Sequence, residues 1–181
     1  MQFNTTAIEG AYIVELDRHE DQRGFFARAF CQQEFAAAGI NNNVVQSNYS
    51  RNTFAGTVRG MHFQIEPAPE TKFVRCVRGS ILDVIVDLRE DSATYLQQVA
   101  IELSANNGRA LFVPALCAHG FQTLEDNADV MYLVSGFYTP DCERGLRHDD
   151  PALAIEWPIP VAHISDKDAQ WPLLPDQGLP L

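Results

Sequence analysis

Lysine is nearly missing from this 181-residue chain: of its 13 basic residues only Lys72 and Lys167 are lysines. Against 24 Asp plus Glu, the formal charge is −11. So acidic a chain excludes a generic binder of the nucleic-acid backbone, which needs a basic face. No apolar run approaches the roughly 18 residues of a membrane-spanning helix. The opening stretch to Leu16 has no basic region leading into an apolar core, so no secretory signal is read. Cys31, Cys76, Cys117 and Cys142 form no Cys-x-x-Cys pair. Four reduced thiols in a cytoplasmic protein are the expectation. GxSxG, GxxxxGK and GxGxxG are all absent. A phosphorylated ligand must therefore be held by arginine and lysine side chains rather than by a glycine-rich loop.

What is present describes an ordinary globular chain, 46% hydrophobic and 20% charged. At about 150 residues per domain it reads as one domain over residues 1–181. Its centre alternates at period two. Phe73 to Val77, the turn Arg78-Gly79-Ser80 and Ile81 to Leu88 together predict a hairpin. Val99, Ile101 and Leu103 predict a further strand before the turn Asn106-Asn107-Gly108. Leu111-Phe112-Val113 ends at Pro114, and another strand runs from Asp129 to Phe137. The only good helix before residue 140 is Gln32 to Ala38, closed by Gly39. Many strands with frequent turns predict an all-β sandwich or jelly roll. The tail from Asp149, with its Trp-Pro pairs, is expected to pack over the barrel as irregular structure.

Four segments place charged or imidazole groups among apolar residues: Asp21 to Phe26, Arg59 to Gln64, Pro114 to Phe121 and Ile164 to Asp168. Each has a plain reading. A strand histidine is commonly a hydrogen-bonded core residue, Lys72 a side chain snorkelling at a strand end, Tyr132 a core aromatic and Asp168 a solvated carboxylate. Their coincidence weakens those readings, since each segment supplies a polar group of a different type. A metal site fares poorly. Jelly-roll metalloenzymes present two histidines one residue apart, but the residue two after His62 is Gln64. With His119 only two imidazoles remain, although an iron triad of two histidines and a carboxylate stays formally open.

These segments resemble the dTDP-4-dehydrorhamnose 3,5-epimerase family, from about residue 3 to residue 173. The likeness rests on Asp21-Gln22-Arg23-Gly24-Phe25-Phe26, Gln46-Ser47-Asn48, Arg59-Gly60-Met61-His62-Phe63-Gln64 and Lys72. It continues through Asp87-Leu88-Arg89 with Ser92 and Thr94, Ala118-His119-Gly120-Phe121, Asp150-Pro151, Ile155-Glu156-Trp157-Pro158 and Ser165-Asp166-Lys167-Asp168. The resemblance implies a cupin jelly roll with a few short helices. It also implies a homodimer whose N-terminal strands pair with the partner, and a reaction without metal or organic cofactor. The implied substrate is a 4-keto-6-deoxyhexose on a nucleoside diphosphate, whose ketone acidifies the C–H bonds at C3 and C5. By the same resemblance His62 is the base, Asp168 its orienting partner, Tyr132 the acid and Lys72 the support for the enolate oxygen. Arg23, Phe26, Gln46, Asn48, Arg59, His119, Tyr138, Glu143 and Lys167 would meet the nucleotide and diphosphate.

One departure stands out. Many members carry a glutamate where this chain has Arg28. A cation there turns a hydrogen-bond acceptor into a donor, which bears on nucleobase choice and not on the carbonyl chemistry. Arg28 therefore joins the binding set. Arg147-His148-Asp149, ahead of Asp150-Pro151, is a smaller departure. Rival readings are a C3 or C5 mono-epimerase, a ketoisomerase, a non-catalytic sugar-nucleotide-binding cupin and a metallocupin oxygenase.

Overall fold

The computed structural model describes residues 1–174. Its strands are β1 (Gln2–Thr5), β2 (Tyr12–Glu15), β3 (His19–Asp21), β4 (Gly24–Phe26), β5 (Gln46–Asn52), β6 (Val58–Gln64) and β7 (Lys72–Arg78). They continue with β8 (Ser80–Asp87), β9 (Gln98–Ser104), β10 (Ala110–Val113), β11 (Cys117–Thr123), β12 (Ala128–Val134) and β13 (Glu143–Gly145). Two short helices, α1 (Gln32–Ala37) and α2 (Asp166–Ala169), flank them. No helix among the described residues is long and apolar enough to cross a membrane.

The strands form a six-stranded sheet, β1-β2-β10-β7-β12-β5, and a five-stranded sheet, β13-β6-β11-β8-β9; β3 and β4 make a separate ribbon. This is the expected jelly roll. Alternation explains its core. Val74, Cys76 and Val130 point inward from the larger sheet to meet Ile81, Ile85, Leu103 and Phe121 from the smaller one. The outer face of the larger sheet is capped by α1, whose Phe35 is fully buried against Phe73 and Phe112. Burying one such ring stabilises by about 2–3 kcal/mol. The outer face of the smaller sheet is covered by Leu146, Leu153, Ile155 and Trp157, so the tail packs where it was expected.

The expected hairpin is not there. β7 lies between β10 and β12, whereas β8 lies between β11 and β9, so Gly79 carries the chain from one sheet to the other. Its φ of +69° suits that corner, and a Cβ there would come within 3.2 Å of the Ala128 Cα. Alternation marks which face of a strand is buried, not which strand lies beside it. β12 also stops at Val134, short of Phe137. There Ser135 turns to exchange hydrogen bonds with Thr71.

The loop after β8 is organised by Asp87, which is fully buried. Its carboxylate accepts from Arg89 Nε and Nη2 at 2.8 Å, Ser92 Oγ at 2.6 Å and Thr94 Oγ1 at 2.7 Å. Burial opposes the anion, but these donors outweigh it and hold the carboxyl well below the usual range. The depressed folded pKa means the contribution is complete above the unfolded value and fades as pH falls. Asp87→Asn should therefore cost about 2–4 kcal/mol at pH 7. The deficit against wild type should shrink toward pH 3, as urea unfolding at both pH values will measure.

Candidate active site

Between the β12–β5 edge of the larger sheet and the β13–β6 edge of the smaller lies a cleft with two lobes, of about 360 and 370 Å³. His62, Lys72 and Tyr132 line both lobes. Arg59, His119, Tyr49 and Arg51 complete one, and Gln46, Asn48, Glu70, Tyr138 and Glu143 the other. Most of them come from strands, where sheet register sets their spacing, while Glu70 and Tyr138 come from the loops next to β7 and β12. His62 of β6 lies directly opposite His119 of β11, and Tyr132 of β12 opposite Asn48 of β5.

Each histidine is backed by a carboxylate. His62 Nε2 lies 2.7 Å from Asp168 Oδ1, while the other Asp168 oxygen accepts from the Gly60 N–H at 3.2 Å. Asp168 reaches this place from α2, where its own N–H is capped by Ser165 Oγ. Burial raises its pKa, but the His62 hydrogen bond and charge and the Gly60 N–H prevail, and the net shift is downward. An ionised Asp168 accepts the Nε2 proton, leaving Nδ1 with the free lone pair. His119 Nε2 makes the equivalent contact with the fully buried Asp83, at 2.8 Å.

Lys72 is buried and donates to the His62 carbonyl at 3.2 Å. Tyr132 projects from the opposite wall, its hydroxyl free of hydrogen-bond partners among the described residues. Its pKa is raised, first by burial and then by the Glu70 charge, against a smaller opposing pull from Arg59. It is therefore protonated at neutral pH. At the mouth, Glu143 accepts from Tyr138 at 2.7 Å and Lys167 at 2.6 Å. Burial works against its anion, but those two partners outweigh it and lower its pKa. Arg59 is exposed and donates to Asn52 at 2.7 Å.

Three expected binding residues are not brought to this cleft within one chain. Arg23 is 84% exposed and paired with Asp21, Phe26 is 73% exposed, and both line a separate hollow on the β3–β4 ribbon. Arg28 is bound to Glu34 of α1 at 2.8 Å. Gln64, whose identity weakened the metal reading, spends its amide on Ala68, Glu70, Phe137 and Thr139. Among the described residues no group of three or more His, Cys, Asp or Glu converges as a metal site. All four cysteines are free, and burial pushes the Cys76 and Cys117 thiols up to about 11 and about 12.

A jelly roll that opens on paired histidine–aspartate dyads, a buried lysine and a neutral tyrosine defines a cupin enzyme equipped for acid–base chemistry. The sequence model of the dTDP-4-dehydrorhamnose 3,5-epimerase family matches residues 5–176. The chain belongs to that family. It is 41% identical to the dTDP-4-dehydrorhamnose 3,5-epimerase of Sinorhizobium fredii, over 96% of this chain and 90% of the relative. Among solved structures, the Bacillus anthracis enzyme with TDP and PPi bound superposes with a TM-score of 0.93 at 41% identity, covering 96% of this chain and 99% of that one. The Legionella pneumophila enzyme in complex with dTDP-4-keto-L-rhamnose gives 0.91 at 35% identity, covering 97% and 94%.

Sequence reading passed over four residues that the fold brings to the site. Asp83 was legible as a carboxylate at an inward position of an apolar strand, and Glu70 as an acid two residues before Lys72. Gly145 and Trp171 carried no local signal. The Trp171 ring packs so closely on Gly145 that a Cβ there would lie 2.3 Å from it, and it meets the His62 ring edge-on at 6.3 Å. Its indole N–H lies near Asp168 without making a hydrogen bond to it. Gly145→Ala should push Trp171 outward. In a Trp157→Phe background, the single remaining tryptophan should then emit at longer wavelength than in the Gly145 parent. Unchanged emission would refute the close packing.

Proposed function

We propose that the protein is a sugar-nucleotide epimerase converting dTDP-4-dehydro-6-deoxy-D-glucose to dTDP-4-dehydro-L-rhamnose by inversion at C3 and C5. The observation that carries this reading is the His62–Asp168 dyad facing Tyr132 across one cleft. His62, oriented through Nε2, takes the proton alpha to the C4 ketone on Nδ1. Asp168 stabilises the imidazolium that forms. The electrons move into the carbonyl, and the enolate oxygen is met by the Lys72 ammonium. Tyr132, neutral on the other wall, returns a proton to the carbon from the opposite side, so the centre inverts. Arg59, His119, Gln46, Asn48, Tyr138, Glu143 and Lys167 surround this centre and suit the diphosphate, the nucleoside and the sugar hydroxyls. The electrons and protons balance within the substrate and side chains, so no redox partner enters.

A homodimer accounts for the residues that stand apart. Arg23 and Phe26, exposed on a ribbon outside both sheets, suit the cleft of a second copy, and Arg28 lies near them on the same arm. The salt bridge to Glu34 occupies the Arg28 guanidinium, which favours the dTDP preference of the family over a redirected base choice. The free cysteines agree with a cytoplasmic location.

In deuterated water the wild-type protein should place deuterium at C3 and C5 of the 4-keto substrate, read by NMR. His62→Ala should slow this by about a hundred- to ten-thousand-fold. Exchange at one carbon alone would make the protein a mono-epimerase, and exchange at neither would sink the epimerase reading. Mixing inactive Arg23→Ala and His62→Ala chains separates the dimer arrangements. If the arm crosses between subunits, each mixed dimer rebuilds one intact site and activity returns to roughly a quarter of wild type. If the arm serves its own chain, nothing returns.

A further inference from the structure

We propose that Glu70 is a positioning residue of this reaction: its carboxylate aims the Lys72 ammonium into the cleft and acts through its charge on Tyr132. This inference rests on the epimerase reading above. The Glu70 side chain is only 12% exposed and lies in the lobe that also holds His62, Lys72 and Tyr132. One oxygen is 3.2 Å from Lys72 Nζ, and the other accepts from Gln64 Nε2 at 3.3 Å. Gln64 is itself anchored, donating to Ala68 O at 2.9 Å and accepting from the Thr139 N–H at 2.7 Å. The carboxylate is thereby clamped between a fixed amide and the lysine.

An ammonium has three N–H donors. On Lys72 one donates to the His62 carbonyl, while the Glu70 carboxylate is the ion-pair partner 3.2 Å from the nitrogen, which leaves donor capacity for the cleft that Lys72 lines. A flexible four-carbon stem seldom holds one direction on its own, and a fixed acceptor and a fixed counter-charge restrain it. They also spare the buried cation an unpaired existence at the cleft floor. Tyr132 has the second relation to Glu70. Burial and then the Glu70 charge raise its pKa, so the phenol keeps its proton between turnovers. After Tyr132 has donated, the resulting phenolate faces a carboxylate, which favours recovery of a proton from solvent.

Glu70→Gln keeps the shape and removes the charge. The neutral amide should hold Lys72 less firmly and leave Tyr132 to lose its proton at lower pH. Melting temperature should move little. The kcat for the 4-keto-6-deoxyhexose nucleotide should fall about 10- to 100-fold with KM within about threefold, a loss expressed in the transition state. The alkaline limb of the kcat–pH profile should move to lower pH, which a merely structural ion pair would not cause. Glu70→Asp keeps the charge but shortens the reach, so its kcat should fall while the alkaline limb stays near wild type. This second variant decides the matter if the glutamine variant does not fold. Unchanged kcat in either variant, or an unmoved limb in Glu70→Gln, would overturn the assignment. A wild-type protein that exchanges no deuterium would instead overturn the epimerase reading on which it rests.

Discussion

The contact between His62 and Asp168 joins residues 106 apart in sequence, and much of the molecule exists in a form that allows it. His62 needs an inward position on β6, held by β11 on one side and β13 on the other. Asp168 needs the C-terminal segment to cross the smaller sheet and end in a short capped helix at the cleft. That crossing is secured by Leu153, Ile155 and Trp157 against the sheet, with Trp157 Nε1 donating to the His148 carbonyl at 2.8 Å. Packing energy spread over the tail is thus concentrated on the orientation of one imidazole. The second Asp168 oxygen, bound to the Gly60 N–H, keeps the carboxylate from turning away.

The same economy governs the other buried charges. Asp83 stands behind His119, Glu70 beside Lys72 and Asp87 beneath a loop held by Arg89. Lone ionised groups in an apolar interior are costly, and these three carboxylates are matched by a cation or an imidazole. Arg75 solves the problem differently. Burial alone lowers its pKa to about 10, and it donates to the carbonyls of Gly108 and Ala29 in place of a carboxylate. The Asp87 pairs sit beneath the loop, and those at His62, His119 and Lys72 open into the cleft. A chain with a net charge of −11 can therefore present cations to a diphosphate, because local pairing and not the total decides what the cleft offers.

Much of this was legible beforehand. Alternation found β7, β8, β9, β10 and β12 but not β5, β6 or β11, the Gly39 stop found α1 to within a residue, and polar groups among apolar residues marked His62, Lys72, His119 and Tyr132. The tail was rightly expected to cover the barrel. The hairpin at Gly79 was misread because period-two alternation describes a strand's faces and is silent on its neighbours. Glu70 was missed because an acid beside a lysine looks like an ordinary surface pair until both are buried. Arg23, Phe26 and Arg28 were named for the site, yet within a single chain they stand outside it. A sequence motif sets residues near one another along the chain and does not say whether the fold brings them to one cleft.

By itself, then, the sequence determined the family, the all-β class and the kinds of side chain available for acid–base chemistry. Those depend on local pattern and residue type, which are properties of neighbours along the chain. Only the tertiary structure decided that Asp168 meets His62 through Nε2, that Asp83 stands behind His119, and that Glu70 and Lys72 share the cleft floor. Such pairings depend on sheet order and on how the tail crosses the barrel. Both are set by burial of apolar faces between elements far apart in sequence, and no short window of residues contains them.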